Sequence, residues 1–166
     1  SEVTSWRAVS SVARNASADE SQALWASLRA ANSEEERQLL VRALAVDPNP
    51  ARAKQLLEAS VAGWLPPNIA TDVPGILGNE PVHAQAAYDF AAAHWPSLAK
   101  LAGSGVFGAR AWLLPSAADG FNARASAKRL REDQRRLAGP TGVMPAETVA
   151  AAIEVRAALR EREAER

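Results

Sequence analysis

Apolar residues in this chain return every three to four positions and almost nowhere every second one, so the pattern predicts helix after helix and no sheet. Trp6, Val9, Val12 and Ala13 mark a short amphipathic helix ending near Asn15. Leu24, Trp25 and Leu28 are the stripe of a second helix over 18–31, capped by Ser17 or Asp19. The third start is the clearest: Ser33 followed by Glu36 forms a capping box, and Glu34, Glu35 and Glu36 suit the positive end of a helix dipole. The run from Leu39 to Val46 is apolar almost all round, so this helix is expected to be covered on more than one side. Asp47-Pro48-Asn49-Pro50 ends it, and Pro50 opens a fourth helix carrying Ala53, Leu56, Leu57, Ser60 and Val61 up to Gly63.

Trp64-Leu65-Pro66-Pro67-Asn68 reads as an extended linker, after which Thr71 or Asp72 caps a short helix to Leu77. The stretch from Ile76 to Trp95 is the one the rest must pack around. From Pro81 onward it is helical, with Val82, Ala86, Phe90 and Ala93 on one arc and Ala84, Ala87, Tyr88, Ala91 and Trp95 on a second, leaving Gln85, Asp89 and Ala92 for water. Cover on two sides is expected. Trp95-Pro96 ends or kinks this helix, and 97–102 continues in a new direction to Gly103-Ser104-Gly105. Further helices follow over 108–118, with Pro115 in the last turn, over 123–138, capped by Asn122, and from Pro145 into a charged tail. The expected fold is all-α, a right-handed α-α superhelix of stacked antiparallel HEAT-like helix pairs, with no strict repeat period.

Composition narrows the partners. Nineteen basic and nineteen acidic residues leave no net charge, which removes the uniformly basic field of a general nucleic-acid binder. The absence of cysteine excludes disulfides, thiolate zinc sites and a cysteine nucleophile. No apolar run approaches the roughly 18 residues that span a bilayer, so no membrane partner is expected either. At 166 residues the chain is expected to be a single helical-repeat domain over 1–166. Its helix-like opening without a start methionine reads as a piece of a longer polypeptide.

The run WASLRAANSEEERQLLVRALAVDPNPARAKQLLEASV, then TDVPGILGNEP, then AAYDFAAAHWPSL, resembles in order and spacing the C-terminal helical domain of aminopeptidase-N-like zinc aminopeptidases. That gluzincin group includes puromycin-sensitive and endoplasmic-reticulum aminopeptidases. The matching features are the acidic stretch Glu34 to Glu36, Leu39 to Ala45, Asp47-Pro48, Asp72, Tyr88-Asp89-Phe90 and His94-Trp95. Two positions depart from the pattern: His94 stands where the relatives have Asn, and Tyr88 where Trp is common. The resemblance is good from about Trp25 to Leu101 and looser beyond.

The resemblance implies a stack of HEAT-like helix pairs that closes over a catalytic domain, walls off the substrate cavity and limits which peptides enter. Its partners would be the catalytic and N-terminal domains of the same polypeptide and a peptide substrate. The zinc of such enzymes sits on an HExxH helix with a distant Glu, and a GxMEN loop holds the substrate amine. Neither motif occurs between Ser1 and Arg166, so no catalytic residue and no metal ligand is assigned here, and zinc is expected only in the catalytic domain. The alternative is a stand-alone HEAT-like scaffold that binds a protein or peptide and does no chemistry.

Among candidate sites, His83 and His94 lie about 16 Å apart along a helix, too far to share one ion, and read as structural, hydrogen-bonded to a neighbouring helix, with a role at an interface as the alternative. Arg124, Lys128, Arg131 and Arg135 fall within about 60° of one another and make one basic stripe. They could bind the carboxylate of a peptide held in a closed cavity, pair with acids of an adjacent helix such as Glu147 or Glu154, or simply be solvated. Of the five tryptophans, Trp25, Trp95 and Trp112 read as core, and Trp64, beside Leu65-Pro66-Pro67, as a domain-interface residue.

Overall fold

A computed structural model describes residues 14–103 and 109–166; the helix expected on Trp6, Val9, Val12 and Ala13 lies outside these. The described residues form nine α-helices and one 3₁₀ turn and contain no strand, so the chain is all-α as its periodicity predicts. The helices are α1 (Ala18–Ala30), α2 (Glu34–Ala45), α3 (Pro50–Val61), α4 (Pro67–Gly78), α5 (Ala84–Ala93), α6 (Trp95–Ala102), α7 (Ala109–Ala118), α8 (Arg124–Leu137) and α9 (Val143–Ala164). Gly139–Gly142 is the 3₁₀ turn. Among the described residues, no helix is long and apolar enough to cross a membrane.

Local chemistry places the first boundaries. Ser17 caps α1 in a complete capping box, its hydroxyl accepting from the Glu20 N–H while the Glu20 carboxylate accepts from the Ser17 N–H. At α2 the box is half rearranged: Ser33 Oγ accepts from Glu36 N–H at 3.1 Å, but the Glu36 carboxylate takes the Asn32 N–H, one residue further out. Pro50 is the first residue of α3, as read, and Asn49 caps it.

Two starts differ by three residues or more from the sequence reading. Helix α4 begins at Pro67, not near Thr71, because a proline at the first helical position forfeits only an N–H that had no partner there. The Thr71 hydroxyl turns inward to the carbonyls of Pro67 and Asn68 instead of capping. Helix α5 begins at Ala84, not Pro81, since 79–83 form a turn in which the His83 N–H reaches the Glu80 carbonyl at 2.9 Å. Asn122 likewise caps nothing; its Oδ1 accepts from Arg160, and α8 starts at Arg124 without a side-chain cap.

Cover of α5 is also narrower than expected. Ala84, Ala87, Tyr88, Ala91 and Trp95 are buried, but Val82, Ala86 and Ala93 are exposed and Phe90 only half-buried. The arc containing Val82 fails because Val82 lies in the turn before the helix. The buried arc nevertheless touches both hydrophobic clusters. Ala87 joins the cluster built from α1 to α4, centred on Leu28, Val41, Leu56 and Leu77. Ala84, Tyr88 and Ala91 join the one built on α6 to α9, centred on Leu98, Leu114, Leu130 and Ile153.

Helices α4 and α7 cross in close contact, and the glycines of α4 permit it. A Cβ on Gly78 would stand 2.3 Å from the Ala117 carbonyl oxygen, and one on Gly75 would stand 2.9 Å from the Ser116 Cβ. Both are closer than real side chains come. Gly75 and Ser116 of this crossing also line the groove described below.

Candidate functional site

The basic stripe sits on α8, and α9 lies along it. Arg124 donates two hydrogen bonds of 3.1 Å to Glu161. Arg131 donates to Glu147 at 2.9 Å and to Glu154 at 2.5 Å, and these two carboxylates hold its guanidinium well above its ordinary value. The same bonds hold the carboxyls of Glu154 and Glu161 below the usual range. Lys128 lies 3.8 Å from Glu132 on its own helix. Arg135 alone of the four has no acid partner among the described residues. The stripe is therefore largely compensated from within the chain, which meets the like-charge cost of four cations along one helix face.

The two histidines separate in role. His83 is buried and its Nε2 lies 2.6 Å from the Asp47 carbonyl oxygen. Asp47, also buried, accepts from the Asn49 N–H, from Arg52 and from the Ser21 hydroxyl, so one aspartate ties together α1, α3 and the start of α5. That is the structural content of the Asp47-Pro48 break. His94 is exposed and stacks on Phe90 with ring centroids 3.9 Å apart, on its own helix rather than a neighbouring one. Among the described residues no group of three or more His, Asp or Glu side chains could hold a metal ion.

The Tyr88-Asp89-Phe90 triplet is a clasp on α8. The Tyr88 hydroxyl donates to Asp133 at 3.1 Å, Asp89 pairs with Arg129 at 2.7 Å, and Arg129 lies over the Tyr88 ring, 4.7 Å from its centroid. Burial, reinforced by the Asp133 charge, pushes the Tyr88 hydroxyl well above its ordinary value and keeps it a neutral donor.

Away from the stripe, a groove of ≈ 450 Å³ lies between α2, α4 and α7. Arg42 lines it from the last turn of α2, Asp72 from α4 and Trp112 from α7, together with Ile76, Glu80 and Ser116. Arg42 and Asp72 make no hydrogen bond and no ion pair with any described residue. Partial burial raises the Asp72 carboxyl above its ordinary value, and the Arg42 charge opposes this only in part. Trp112 is 45% exposed, which overturns its reading as a core residue. Its helix buries Leu113, Leu114, Ala117 and Ala118, leaving Trp112 and Ser116 together on the groove side. Trp64 is 38% exposed, with the Arg29 guanidinium 5.4 Å from its ring centroid.

A second recess, also of ≈ 450 Å³, is lined by Trp95, Pro96, Ala99, Lys100, Arg110 and Leu137 and carries cations without a carboxylate. The sequence signals for the first groove were present but small. Arg42 is the charge inside the apolar run 39–46, and Ser116 four residues after Trp112 marks a polar edge on that helix.

The sequence model of the ERAP1-like C-terminal domain matches residues 3–139, a span that includes the groove and the whole of α8 and stops before α9. No curated protein matches the chain.

Proposed function

Because the chain belongs to the ERAP1-like C-terminal domain family, we propose that it serves as the non-catalytic C-terminal domain of a zinc-dependent aminopeptidase. In this reading it covers the active site, walls the cavity that holds the peptide and works with the catalytic and N-terminal domains of the same polypeptide. Its helices stack as HEAT-like pairs. Removal of the N-terminal residue would be done by zinc in the catalytic domain. The residues here would hold the far end of the peptide.

The observation that carries the peptide role is Arg42, which makes no hydrogen bond or ion pair with a described residue and lines a groove with an exposed indole. A free guanidinium can take a terminal carboxylate through two parallel hydrogen bonds. The stripe of Arg124, Lys128, Arg131 and Arg135 supports that role less well, because three of its members already face acids of α8 and α9. Arg135 is the member left for a peptide or a domain contact, and Trp64 keeps its place as the residue for another domain's surface.

In the whole enzyme that contains this chain, Arg42→Gln should lower kcat/KM on peptides about tenfold, the order expected for one charge-assisted interaction. An amino-acid arylamide, which has no carboxylate to hold, should be cleaved at the unchanged rate. Equal loss on both substrates, or a loss that follows Arg110→Gln instead, would move the peptide site away from this groove.

A further inference from the structure

Helix α9, which lies beyond the family match, is apolar on two opposite faces. One faces the core, with Val149, Ile153 and Ala157 buried. On the other, Met144 is 77% exposed, Val155 60% and Leu159 54%, and Thr148 and Ala151 are exposed with them. At 100° per residue these five and half-buried Ala152 fall within about 100° of one another, centred opposite the buried face. Four of the seven large apolar side chains exposed among the described residues stand on this one helix. Single exposed apolar residues need no explanation, but a stripe of them does. A helix that packs by one face alone ordinarily turns polar residues outward.

We propose that the stripe pairs with itself, α9 of a second copy of the chain lying antiparallel along it about a twofold axis near residues 151 and 152. Positions 144, 148, 151, 152, 155 and 159 are separated by 4, 3, 1, 3 and 4 residues, an order that reads alike from either end. A twofold contact needs a surface complementary to itself, and turning this helix end for end preserves the pattern. Met144 then meets Leu159 of the second copy and Thr148 meets Val155. The small Ala151 and Ala152 fall at the axis, where the two backbones come nearest. The face turns charged again at Arg162, which bounds the contact.

Closing this contact takes no charge from its partner. Glu147, Glu154 and Glu161, along one edge of the stripe, are already held by Arg131 and Arg124 of α8. Arg156, at the other edge, donates to the carbonyls of Phe121 and Asp119, and the Thr148 hydroxyl donates to the Met144 carbonyl at 3.0 Å. Nineteen basic and nineteen acidic residues leave the chain without net charge, so two copies approach without mutual repulsion. The row of acids at one edge suits an anionic lipid surface poorly, since helices that lie on membranes flank their apolar face with cations. The stripe is about 22 Å long. One helix laid along another over that length covers less than the roughly 800 Å² per partner of a standard interface, so the dimer is weak and reversible, with a dissociation constant of about 10–100 µM.

Sedimentation velocity of the 166-residue chain over about 5–500 µM, a range that brackets this constant, tests the pairing. The weight-average mass should climb from 17.6 kDa toward twice that value. Val155→Glu, at an exposed position, should hold it at 17.6 kDa throughout and leave the circular dichroism spectrum unchanged. The chain has no cysteine of its own, so introduced ones report the register. Under copper phenanthroline, Ala151→Cys should cross-link to itself, whereas Met144→Cys should cross-link to Leu159→Cys and not to itself. A chain that stays monomeric at every concentration would overturn the proposal and leave the stripe to another domain of the same polypeptide. A dimer that survives Val155→Glu would place the contact elsewhere, and Met144→Cys joining to itself as readily as Ala151→Cys would rule out the antiparallel twofold.

Discussion

Asp72 retains its proton more readily in the folded chain than a free aspartate does, because desolvation in the groove outweighs the attraction of Arg42. A carboxyl whose folded value lies above its unfolded one favours the folded state most when protonated. Its contribution is complete below the ordinary carboxylate range and is lost as pH rises through the raised value. At neutral pH, then, Asp72 works against stability. Asp72→Asn should raise the melting temperature at pH 7, with the gain shrinking as the pH falls to about 2.5, below the ordinary carboxylate range, where both side chains are largely neutral. Thermal unfolding followed by circular dichroism at the two pH values checks this, and an unchanged or lower melting temperature at pH 7 would contradict it. The Asp47 carboxylate, buried among Arg52, Ser21 and the Asn49 N–H, shows the opposite treatment of the same side chain.

At the level of elements, the crossing of α4 and α7 rests on backbone proximity. Gly78→Ala would drive a methyl group into the Ala117 carbonyl at 2.3 Å, and neither helix backbone can yield cheaply. Overpacking of this kind costs about 1–3 kcal/mol, so chemical denaturation should show a loss in that range. A loss under a few tenths of a kcal/mol would mean the crossing relaxes freely. The same elements show what was legible in the sequence. Capping residues and the Pro50 start gave α1 to α3 to within a residue or two, because those signals act locally. Helix α4 was read too short, since Pro66-Pro67 signals both an extended linker and a helix start, and packing of Ile69 and Ala70 into the core decides between them. Helix α5 was read too long for a related reason: the polar turn is held by His83 bonding to Asp47, thirty-six residues away. The groove was the least legible part. Arg42, Asp72 and Trp112 come from three helices, and no periodicity within one of them says that they meet. The salt links from Arg131 to Glu147 and Glu154 could be named in advance, because α8 and α9 are neighbours in the chain as well as in space.

On the scale of the whole molecule, α8 and α9 act as a brace. Their facing charges are satisfied mutually, and Arg156 of α9 reaches back to the carbonyls of Phe121 and Asp119 at the end of α7. The family match stops at residue 139, so this brace is half family domain and half an addition outside the match. Its consequence for the proposed function is that the basic stripe is less available to a ligand than its angular pattern implies, whereas the groove on the α2, α4 and α7 side stays open.

The buried arc of α5 belongs to both hydrophobic clusters, and that has a bearing on how the chain comes apart. Two cores sharing a helix, and pressed together where α4 meets α7, should lose their structure in one event rather than in halves. Native-state hydrogen exchange offers a direct reading: the slowest amides of α2 and α3 and those of α8 and α9 should report the same opening free energy and the same dependence on denaturant. In Gly78→Ala, where the shared boundary is weakened, the two sets should part. Matching values in the variant, or separate ones in the unaltered chain, would show that the halves keep their own thermodynamic account. If they open as one, a ligand seated in the groove, which touches helices from both clusters, steadies every helix of the domain at once.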